Sequence, residues 1–105
     1  MRLSELEPEF LKIINPTSYR TDAVFTDCDG IFFLCPVCFK NNNGAVGTHG
    51  IICWKPHVPQ TMEPKPGRWP FTGTGFTDLS LTPSVLINAD CKAHFFVTNG
   101  EIVGC

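Results

Sequence analysis

The first apolar residues of the chain recur at the spacing of one helix face. Hydrophobic side chains between Leu6 and Ile14 fall three or four positions apart, which is the period of an amphipathic helix. Ser4 and Glu7 have the spacing of a capping box, in which each side chain bonds the backbone of the other residue. We therefore predict a short N-terminal helix over residues 4–14.

Strand-like patterns replace the helical period after residue 18. The apolar run 31–34 is typical of a buried strand, and Asn99-Gly100 between two apolar runs is a strong β-hairpin signal. Residues 55–70 hold five prolines, which lack the backbone donor that a strand or helix needs, so we predict a long loop there. The predicted strands are residues 19–26, 31–34, 48–54 and 71–81 and the hairpin 95–103.

The charge pattern argues against nucleic-acid and membrane partners. Eight Lys and Arg residues stand against ten Asp and Glu, for a formal net charge of -2, and the basic residues are scattered. A phosphate-binding surface needs clustered positive charge, so we expect no nucleic acid. The sequence has no apolar stretch near the roughly 20 residues of a membrane span and no signal-peptide pattern. We therefore expect a cytoplasmic protein with no membrane partner.

Two pairs of potential metal ligands carry the clearest chemistry in the sequence. Cys35 and Cys38 are separated by two residues, and so are Cys91 and His94. Three thiolates and one imidazole satisfy the tetrahedral preference of Zn²⁺ and leave no position for water. In a reducing cytosol, paired cysteines at this spacing favour metal binding over disulfides. We therefore predict a structural zinc bound by Cys35, Cys38, Cys91 and His94.

Two further residues have donor atoms suited to the same metal. His49 and Cys53 lie on the predicted strand 48–54, and either could replace a member of the quartet. The simpler interpretation is structural, with His49 bonded to a backbone carbonyl and Cys53 as a small core residue. The sequence leaves this choice open. Cys28 and Cys105 are the other cysteines outside the quartet.

These patterns together predict a mainly β protein: a small zinc-ribbon-like β domain with one short N-terminal helix. We expect residues 1–29 to form the N-terminal helix or arm and the first strand, and residues 30–105 to form the ribbon-like part of a single compact domain. A chain of 105 residues buries only about 60–65% of its unfolded surface. A metal cross-link would therefore be useful to its stability.

Trp69 and Phe71 are a candidate interaction surface. They lie two positions apart, so a strand would present both rings on one face. Exposed, they would form an aromatic docking surface for a protein partner. The alternative is that both rings simply belong to the core.

Other polar residues favour ordinary structural roles. Asp27 and Asp29 are typical of a solvated strand end with a turn, although Asp27 or His49 could stand beside an open, catalytic zinc. Ser84 lacks the GxSxG context, and no histidine is placed by the sequence to activate it. We therefore do not expect a serine hydrolase.

Several motifs resemble those of a family of small phage and prophage proteins. They are the CPxC motif at Cys35, the WxFxG motif at Trp69, the LTPSV motif at Leu81 and the CxxHFFVxNG motif at Cys91. Relatives of that family occur beside bacterial ubiquitin-like gene clusters. Some members carry the label ammonia monooxygenase. This sequence does not support that label, because it has no histidine-rich copper site. The resemblance implies a phage-related setting, a zinc-stabilised β fold and no established activity.

We therefore expect a nonenzymatic, phage-related protein that is stabilised by zinc and acts through contact with a phage or host protein. It would be a minor virion component or a modulator of a host factor, located in the cytoplasm of the bacterial host or in the virion. The alternative is a small zinc-dependent hydrolase or deaminase-like enzyme, which needs an open metal position and a carboxylate base. A Glu beside the ligands is missing, which favours the nonenzymatic interpretation.

Overall fold

The computed structural model describes residues 1–64, 67–87 and 91–104, and these residues fold mainly into β-strands. The predicted mainly β class is therefore confirmed. No helix in the described ranges is long and apolar enough to cross a membrane. The helices are the α-helix α1 (Pro36–Asn42) and two 3-10 helices (Leu3–Leu6 and Phe25–Asp27). The strands are β1 (Glu9–Asn15), β2 (Ser18–Arg20), β3 (Gly30–Leu34), β4 (Gly50–Trp54), β5 (Phe71–Thr72), β6 (Ser80–Leu86), β7 (His94–Thr98) and β8 (Glu101–Gly104).

The strands form two antiparallel sheets that share one core. The first sheet has the order β2-β1-β3-β4 and the second the order β5-β6-β7-β8. Phe33 of the first sheet meets Phe95 of the second edge to face, with ring centroids 6.1 Å apart. Burying such rings between the sheets stabilises the fold, because each removes a large apolar surface from water. The shared core includes Phe10, Ile31, Phe33 and Ile51 from the first sheet and Leu81, Val85, Phe95 and Val97 from the second.

The predicted N-terminal helix is wrong beyond its first turn. Only Leu3–Leu6 is helical, and Glu7 then adopts a left-handed conformation with φ 51°. The following residues form β1 because two adjacent side chains are buried in different places: Phe10 lies in the shared core, whereas Leu11 lies in a second cluster with Trp54. A strand sends neighbouring side chains to opposite faces, and a helix cannot do so.

The segment from β3 to β4 brings the first cysteine pair into a helical turn. Both strands lie where the sequence predicts them, and α1 follows directly after Cys35. Pro36 occupies the first helical position, where its missing N–H costs little. Cys35 immediately precedes the helix and Cys38 lies within its first turn. The two thiols therefore come together at the end of β3.

The predicted loop at residues 55–70 wraps the outer side of the first sheet. Val58 and Met62 of this loop are buried against Leu11 and Trp54. The indole nitrogen of Trp54 donates a hydrogen bond to the carbonyl oxygen of Pro64, at 3.0 Å. The loop is therefore packed against the sheet by apolar contacts and held by side-chain hydrogen bonds. Residues 65 and 66 of the predicted loop lie outside the described residues.

The C-terminal hairpin is confirmed. β7 and β8 pair antiparallel, and both turn residues have positive φ, 49° at Asn99 and 74° at Gly100. These are the values of a type I′ turn, whose twist matches that of the strands. A Cβ atom on Gly100 would also clash with the carbonyl oxygen of Thr77. Glycine is therefore required at this position.

The strand predicted over residues 71–81 is broken into two. β5 ends at Thr72, and a turn follows in which the Asp78 carboxylate accepts hydrogen bonds from the backbone N–H groups of Thr74 and Gly75, both at 2.9 Å. β6 then begins at Ser80. The turn lets the chain reverse, so that β5 pairs antiparallel with the start of β6.

β6 contains a bulge opposite β7. Leu81 pairs with Val97 and Val85 pairs with Phe95, so four steps along β6 span only two steps along β7. Extra residues on one strand bend it locally and change the direction of a side chain, and such bulges are common beside active sites. The residue immediately before the regular pairing resumes at Val85 is Ser84.

Candidate active site and metal centre

The pairing of β6 with β7 brings Ser84 close to a histidine on the neighbouring strand. The Oγ atom of Ser84 lies 2.9 Å from Nε2 of His94, which is hydrogen-bond distance. The strand register places His94 opposite Leu86. Ser84 is two residues before Leu86 on β6, so it is a diagonal neighbour of His94. A hydroxyl in this contact can lose its proton to the imidazole as it attacks an electrophile.

The main chain of Ser84 is held by a buried tryptophan. The indole nitrogen of Trp69 donates a hydrogen bond to the Ser84 carbonyl oxygen, at 3.3 Å. Trp69 is only 8% exposed, and its backbone N–H donates a hydrogen bond to the carbonyl oxygen of Trp54 at 2.9 Å. This chain of contacts ties the serine to the edge of the first sheet. It restricts how far the bulge can move.

The aromatic pair predicted as an exposed docking surface is largely inside the protein. Trp69 is buried, and Phe71 is half-buried. The Phe71 ring lies under the ammonium group of Lys55, 5.5 Å from the centroid. Trp69 therefore packs in the core and bonds the main chain of Ser84.

The serine and histidine lie on the outer face of the second sheet. Burial alternates along β7, with His94 and Phe96 exposed and the residues between them buried. Leu86 and Phe96 are 63% and 43% exposed, so apolar side chains flank the Ser84–His94 pair. A polypeptide can therefore approach the hydroxyl from solvent.

A second cluster contains four potential metal ligands. The donor atoms of Cys35, Cys38, His49 and Cys91 all lie within 4.8 Å of one another. The sulfurs of Cys35 and Cys91 are 3.8 Å apart, and Nε2 of His49 is 3.4 Å from the Cys91 sulfur. In tetrahedral zinc, with Zn–S near 2.3 Å and Zn–N near 2.0 Å, these separations would be about 3.8 and 3.5 Å. The cluster can therefore hold a metal ion such as zinc.

Three separate parts of the chain position these ligands. Cys35 and Cys38 come from the start of α1, and His49 directly precedes β4. The Cys35 N–H donates to the His49 carbonyl oxygen at 2.9 Å, which continues the β3–β4 ladder to the cluster. Cys91 comes from the segment before β7, where the N–H of Ile87 bonds the carbonyl oxygen of Ala93 at 2.8 Å. A bound metal would thus join the two sheets at one end.

The thiols of the cluster differ in acidity. The hydrogen bond from His49 lowers the pKa of Cys91 to about 7. Burial, together with the neighbouring thiols of Cys91 and Cys35, raises the pKa of Cys38 to about 11. Cys91 is therefore the thiol that ionises first. Binding a divalent metal would release the remaining protons, because the thiolate is the ligand.

The structure places three of the four predicted ligands together and replaces the fourth. His49 supplies the imidazole of the cluster, and the expected ligand His94 contacts Ser84 instead. Cys53, the other alternative, is fully buried in the core, and burial raises the pKa of its thiol. Cys28 is also buried, with its sulfur 3.3 Å from the carbonyl oxygen of Phe25. Cys105 lies outside the described residues.

Asp29 is not the solvated residue that the sequence suggests. Its side chain is 13% exposed and contacts Nε2 of His57 at 2.7 Å. It also accepts a hydrogen bond from the Ile13 backbone N–H at 2.8 Å. Burial alone would raise the pKa of Asp29, but these hydrogen bonds and the charge of Lys12 outweigh it and lower the pKa. Asp27 remains exposed, beside Lys12 at 3.3 Å. Neither carboxylate belongs to the metal cluster.

The fold and the site define a class of protein. A small two-sheet protein with a solvent-accessible serine hydroxyl bonded to an imidazole has the nucleophile and base of a serine hydrolase. Residues 7–105 match the family model described as bacterial ubiquitination-like system serine protease (BubE), so the chain belongs to this family. No curated protein and no solved structure matches the chain.

The family corrects the functional interpretation of the sequence. The expectation of a nonenzymatic protein is wrong, because the family is one of serine proteases. The family also belongs to a bacterial ubiquitination-like system, and nothing in the match supports the phage-related setting. The hydrolase named as the alternative agrees better with the family than the nonenzymatic interpretation does.

The expectation that the protein is not a serine hydrolase is also wrong, because the family is described as one of serine proteases. That expectation relied on the sequence placing no histidine near Ser84, but His94, ten positions later, contacts Ser84 because β6 and β7 pair. No short motif encodes such a contact. The available signals were the unusual LTPSV segment and a histidine at the start of an apolar strand. The second of these was assigned to the metal.

Proposed function

We propose that this protein is a serine peptidase of a bacterial ubiquitination-like system, with Ser84 as the nucleophile and His94 as the general base. The hydrogen bond of 2.9 Å between Ser84 Oγ and His94 Nε2 carries this proposal. It is the contact through which the base removes the proton of the nucleophile. The family description supports both the reaction class and the biological system.

In the first half of the reaction, Ser84 Oγ attacks the carbonyl carbon of the scissile peptide bond. Its proton passes to Nε2 of His94 as the new C–O bond forms. His94 then gives this proton to the nitrogen of the leaving group, and the C–N bond breaks. The amine product departs, and Ser84 carries the other product as an acyl ester.

In the second half, water replaces the amine. His94 accepts a proton from the water as its oxygen attacks the ester carbonyl, and it returns the proton to Ser84 Oγ when the ester bond breaks. The second product leaves as a carboxylic acid. One water is consumed for each peptide bond, and His94 is neutral at the beginning and end of the cycle.

The surroundings of Ser84 prepare it for this role. The pairing of β6 with β7 places the hydroxyl beside His94, and the Trp69 indole fixes the Ser84 carbonyl. A nucleophile held in position by packed neighbours avoids part of the entropy cost of reaching the transition state. We assign Trp69 as a positioning residue for this reason.

The cysteine–histidine cluster has a structural role in this proposal. Cys35, Cys38, His49 and Cys91 supply four donors, which saturate tetrahedral zinc, whereas a catalytic zinc keeps one position open. Zinc bound there would cross-link the ends of the two sheets. The peptidase chemistry therefore takes place at Ser84 and His94.

The substrate is a protein of the same ubiquitination-like system, in this proposal a ubiquitin-like protein or a conjugate of one. The name of the family supports this assignment. Such a system works inside the cell, so we assign the protein to the bacterial cytoplasm. Its partner is the substrate protein, and its overall charge gives it no affinity for nucleic acid.

Labelling with a fluorophosphonate tests the proposal directly. This reagent forms a covalent bond with activated serines, and tandem mass spectrometry of the labelled protein should locate the adduct on Ser84. Ser84→Ala should abolish labelling, and His94→Gln should slow it by about 100-fold or more. Ser4→Ala is the matched control because Ser4 is also exposed but lies near the N-terminus, outside the Ser84–His94 pair. Labelling at another serine, or full labelling of His94→Gln, would overturn the proposal.

A further inference from the structure

A groove runs between the two sheets and is lined by the tryptophan that holds Ser84. One wall is the start of β4, from Gly50 to Ile52, and the other is the end of β6 at Leu86. Its volume is about 350 Å³, within the range of sites that hold small ligands or short peptides. Trp69 lines the groove, and the same residue bonds the carbonyl oxygen of Ser84. Trp69 therefore links the groove to the proposed active site.

The β4 wall is an open sheet edge. β4 pairs with β3 on one side, and no strand in the described chain pairs with its other side. In the described residues the edge is covered at its two ends: Trp54 forms a bridge to Arg68 and accepts a hydrogen bond from the Trp69 backbone N–H, and the Gly50 carbonyl oxygen lies 3.3 Å from Nδ1 of His49. An open edge is a template on which another chain can add as a strand.

The hydrogen-bond pattern shows which groups of β4 face the groove. Two backbone hydrogen bonds show which residues of the β3–β4 ladder face each other with their N–H and C=O groups. They run from the Cys35 N–H to the His49 carbonyl oxygen and from the Lys55 N–H to the Asp29 carbonyl oxygen, at the two ends of the ladder. Antiparallel ladders alternate, so every second residue directs its N–H and C=O away from the partner strand. On β4, Ile52 is such a residue, and its backbone donor and acceptor point into the groove.

At Leu86, the β6 wall also directs backbone hydrogen-bonding groups into the groove. The N–H of Ile87 bonds the carbonyl oxygen of Ala93, and Leu86 is therefore at a position whose backbone points away from β7. β5 does not reach this far, because it pairs only with Ser80 and Leu81. Both walls thus present main-chain hydrogen-bonding groups to the same space.

We propose that this groove binds the substrate as an extended strand, which pairs with the free edge of β4 at Ile52 and passes Leu86 to reach Ser84. This inference rests on the proposed function. Strand addition takes its affinity from main-chain hydrogen bonds and its specificity from pockets for alternate side chains. Of the polypeptide forms, only an unfolded segment has free N–H and C=O groups along its length. The occupant is therefore an extended tail or linker of the substrate protein.

The glycine in the β4 wall is explained by packing inside the protein. Gly50 lies in this wall, and a Cβ atom there would clash with the ring of Phe32. Glycine at this position therefore accommodates the Phe32 ring.

The experiment removes one backbone donor from the groove. Ile52→Pro deletes the N–H that faces the groove, and proline is tolerated on a strand edge where that N–H has no ladder partner. Ile52→Ala is the matched control, because it loses the same apolar side chain, which packs partly against Leu11 and Trp54, but keeps the N–H. The probe is the peptide that the wild-type protein cleaves fastest from a proteome-derived library of unstructured peptides.

We expect Ile52→Pro to cleave this peptide at least tenfold more slowly than Ile52→Ala. Equal rates for the two variants would overturn the groove assignment, while labelling of Ser84 would still support the peptidase. Failure of the wild-type protein to cleave any peptide, together with no label on Ser84, would overturn both.

A second measurement does not depend on how well the proline variant folds. In Ser84→Ala protein saturated with the same peptide, hydrogen exchange at the Ile52 and Leu86 amides should slow by at least tenfold. The Ile51 amide, which already bonds β3 in the ladder, should change little. Unchanged exchange at both groove amides would overturn the proposal.

Discussion

Cys91 and His94 lie three positions apart and belong to two different sites. The sulfur of Cys91 is 3.4 Å from His49 in the metal cluster, whereas Nε2 of His94 is 2.9 Å from the hydroxyl of Ser84. The segment between them thus carries a ligand of the metal cluster at one end and the proposed general base at the other. A metal at the cluster would support the position of the base without taking part in the reaction.

Replacing each of the two histidines, His49 and His94, by alanine tests whether they serve two separate sites. Loss of an outer-shell partner already costs about 10–100-fold in metal affinity, so His49→Ala, which removes a direct donor, should weaken zinc binding at least as much. His94→Ala should retain full zinc content but lose peptidase activity. Zinc content by mass spectrometry and competition with a chelator provide the measurements. If His49→Ala bound zinc normally and His94→Ala lost zinc, the metal ligand would be His94, as the sequence predicts.

Replacing Trp69 with phenylalanine should affect activity more than stability. The variant keeps most of the buried ring but removes the N–H that bonds the Ser84 carbonyl. Loss of one such hydrogen bond costs about 0.5–1.5 kcal/mol of stability, and we expect a kcat several times lower because Ser84 is less well held. Trp54→Phe is the control, since it removes an equivalent indole bond, to Pro64, that does not involve Ser84. A fall in kcat of equal size in both variants would remove Trp69 from its positioning role.

Gly100→Ala should destabilise the protein strongly. The residue has φ 74°, and its new methyl group would meet the Thr77 carbonyl. A non-glycine residue in this region costs about 1–3 kcal/mol, before any clash is counted. Gly75→Ala provides the comparison, because nothing lies near its Cβ position and its φ is ordinary. Thermal unfolding of the two variants should differ by several degrees, and equal melting temperatures would contradict the role of the turn.

Asp29 should make the protein more sensitive to acid. Its pKa is lowered in the folded state, so the folded protein binds fewer protons than the unfolded chain between the two pKa values. This stabilisation is present above the unfolded value of about 4 and is lost as the pH falls through the lower, folded value. Asp29→Asn should lose about 1–3 kcal/mol at neutral pH and show a flatter acid-unfolding profile.

Asp27→Asn is the matched control for this experiment. Asp27 is exposed and contacts only the ammonium of Lys12 among the ion pairs described, and such surface pairs contribute about 0–1 kcal/mol. Urea unfolding at a series of pH values measures both variants. A pH dependence unchanged by Asp29→Asn would show that the acid response comes from other groups.

Local signals predicted the elements that depend on neighbouring residues. The Asn99-Gly100 turn, the apolar strand 31–34 and the cysteine pair at Cys35 and Cys38 all lie where the sequence places them. Each follows from constraints within a few residues, such as the positive φ of a turn or the spacing of two ligands. The mainly β class follows from the same alternation of side chains.

Elements that depend on distant contacts were predicted incorrectly. The segment 9–15 has a helical period, but it becomes a strand because β3 and β2 offer backbone partners and two clusters bury its neighbouring side chains. Likewise, His49 and His94 have the same donor atom, and their sequence spacing favours His94. Only the packing of β4 beside the end of β3 places His49 at the thiols.

The sequence by itself determined a small β protein with a set of thiols ready to hold a metal, because turn chemistry and ligand spacing act over short distances. The tertiary structure decided which histidine joins the thiols and which one meets a serine. The pairing of β6 with β7 sets that second contact. A hydrogen bond between side chains ten positions apart depends on strand register to within one residue, and register is a property of the folded sheet.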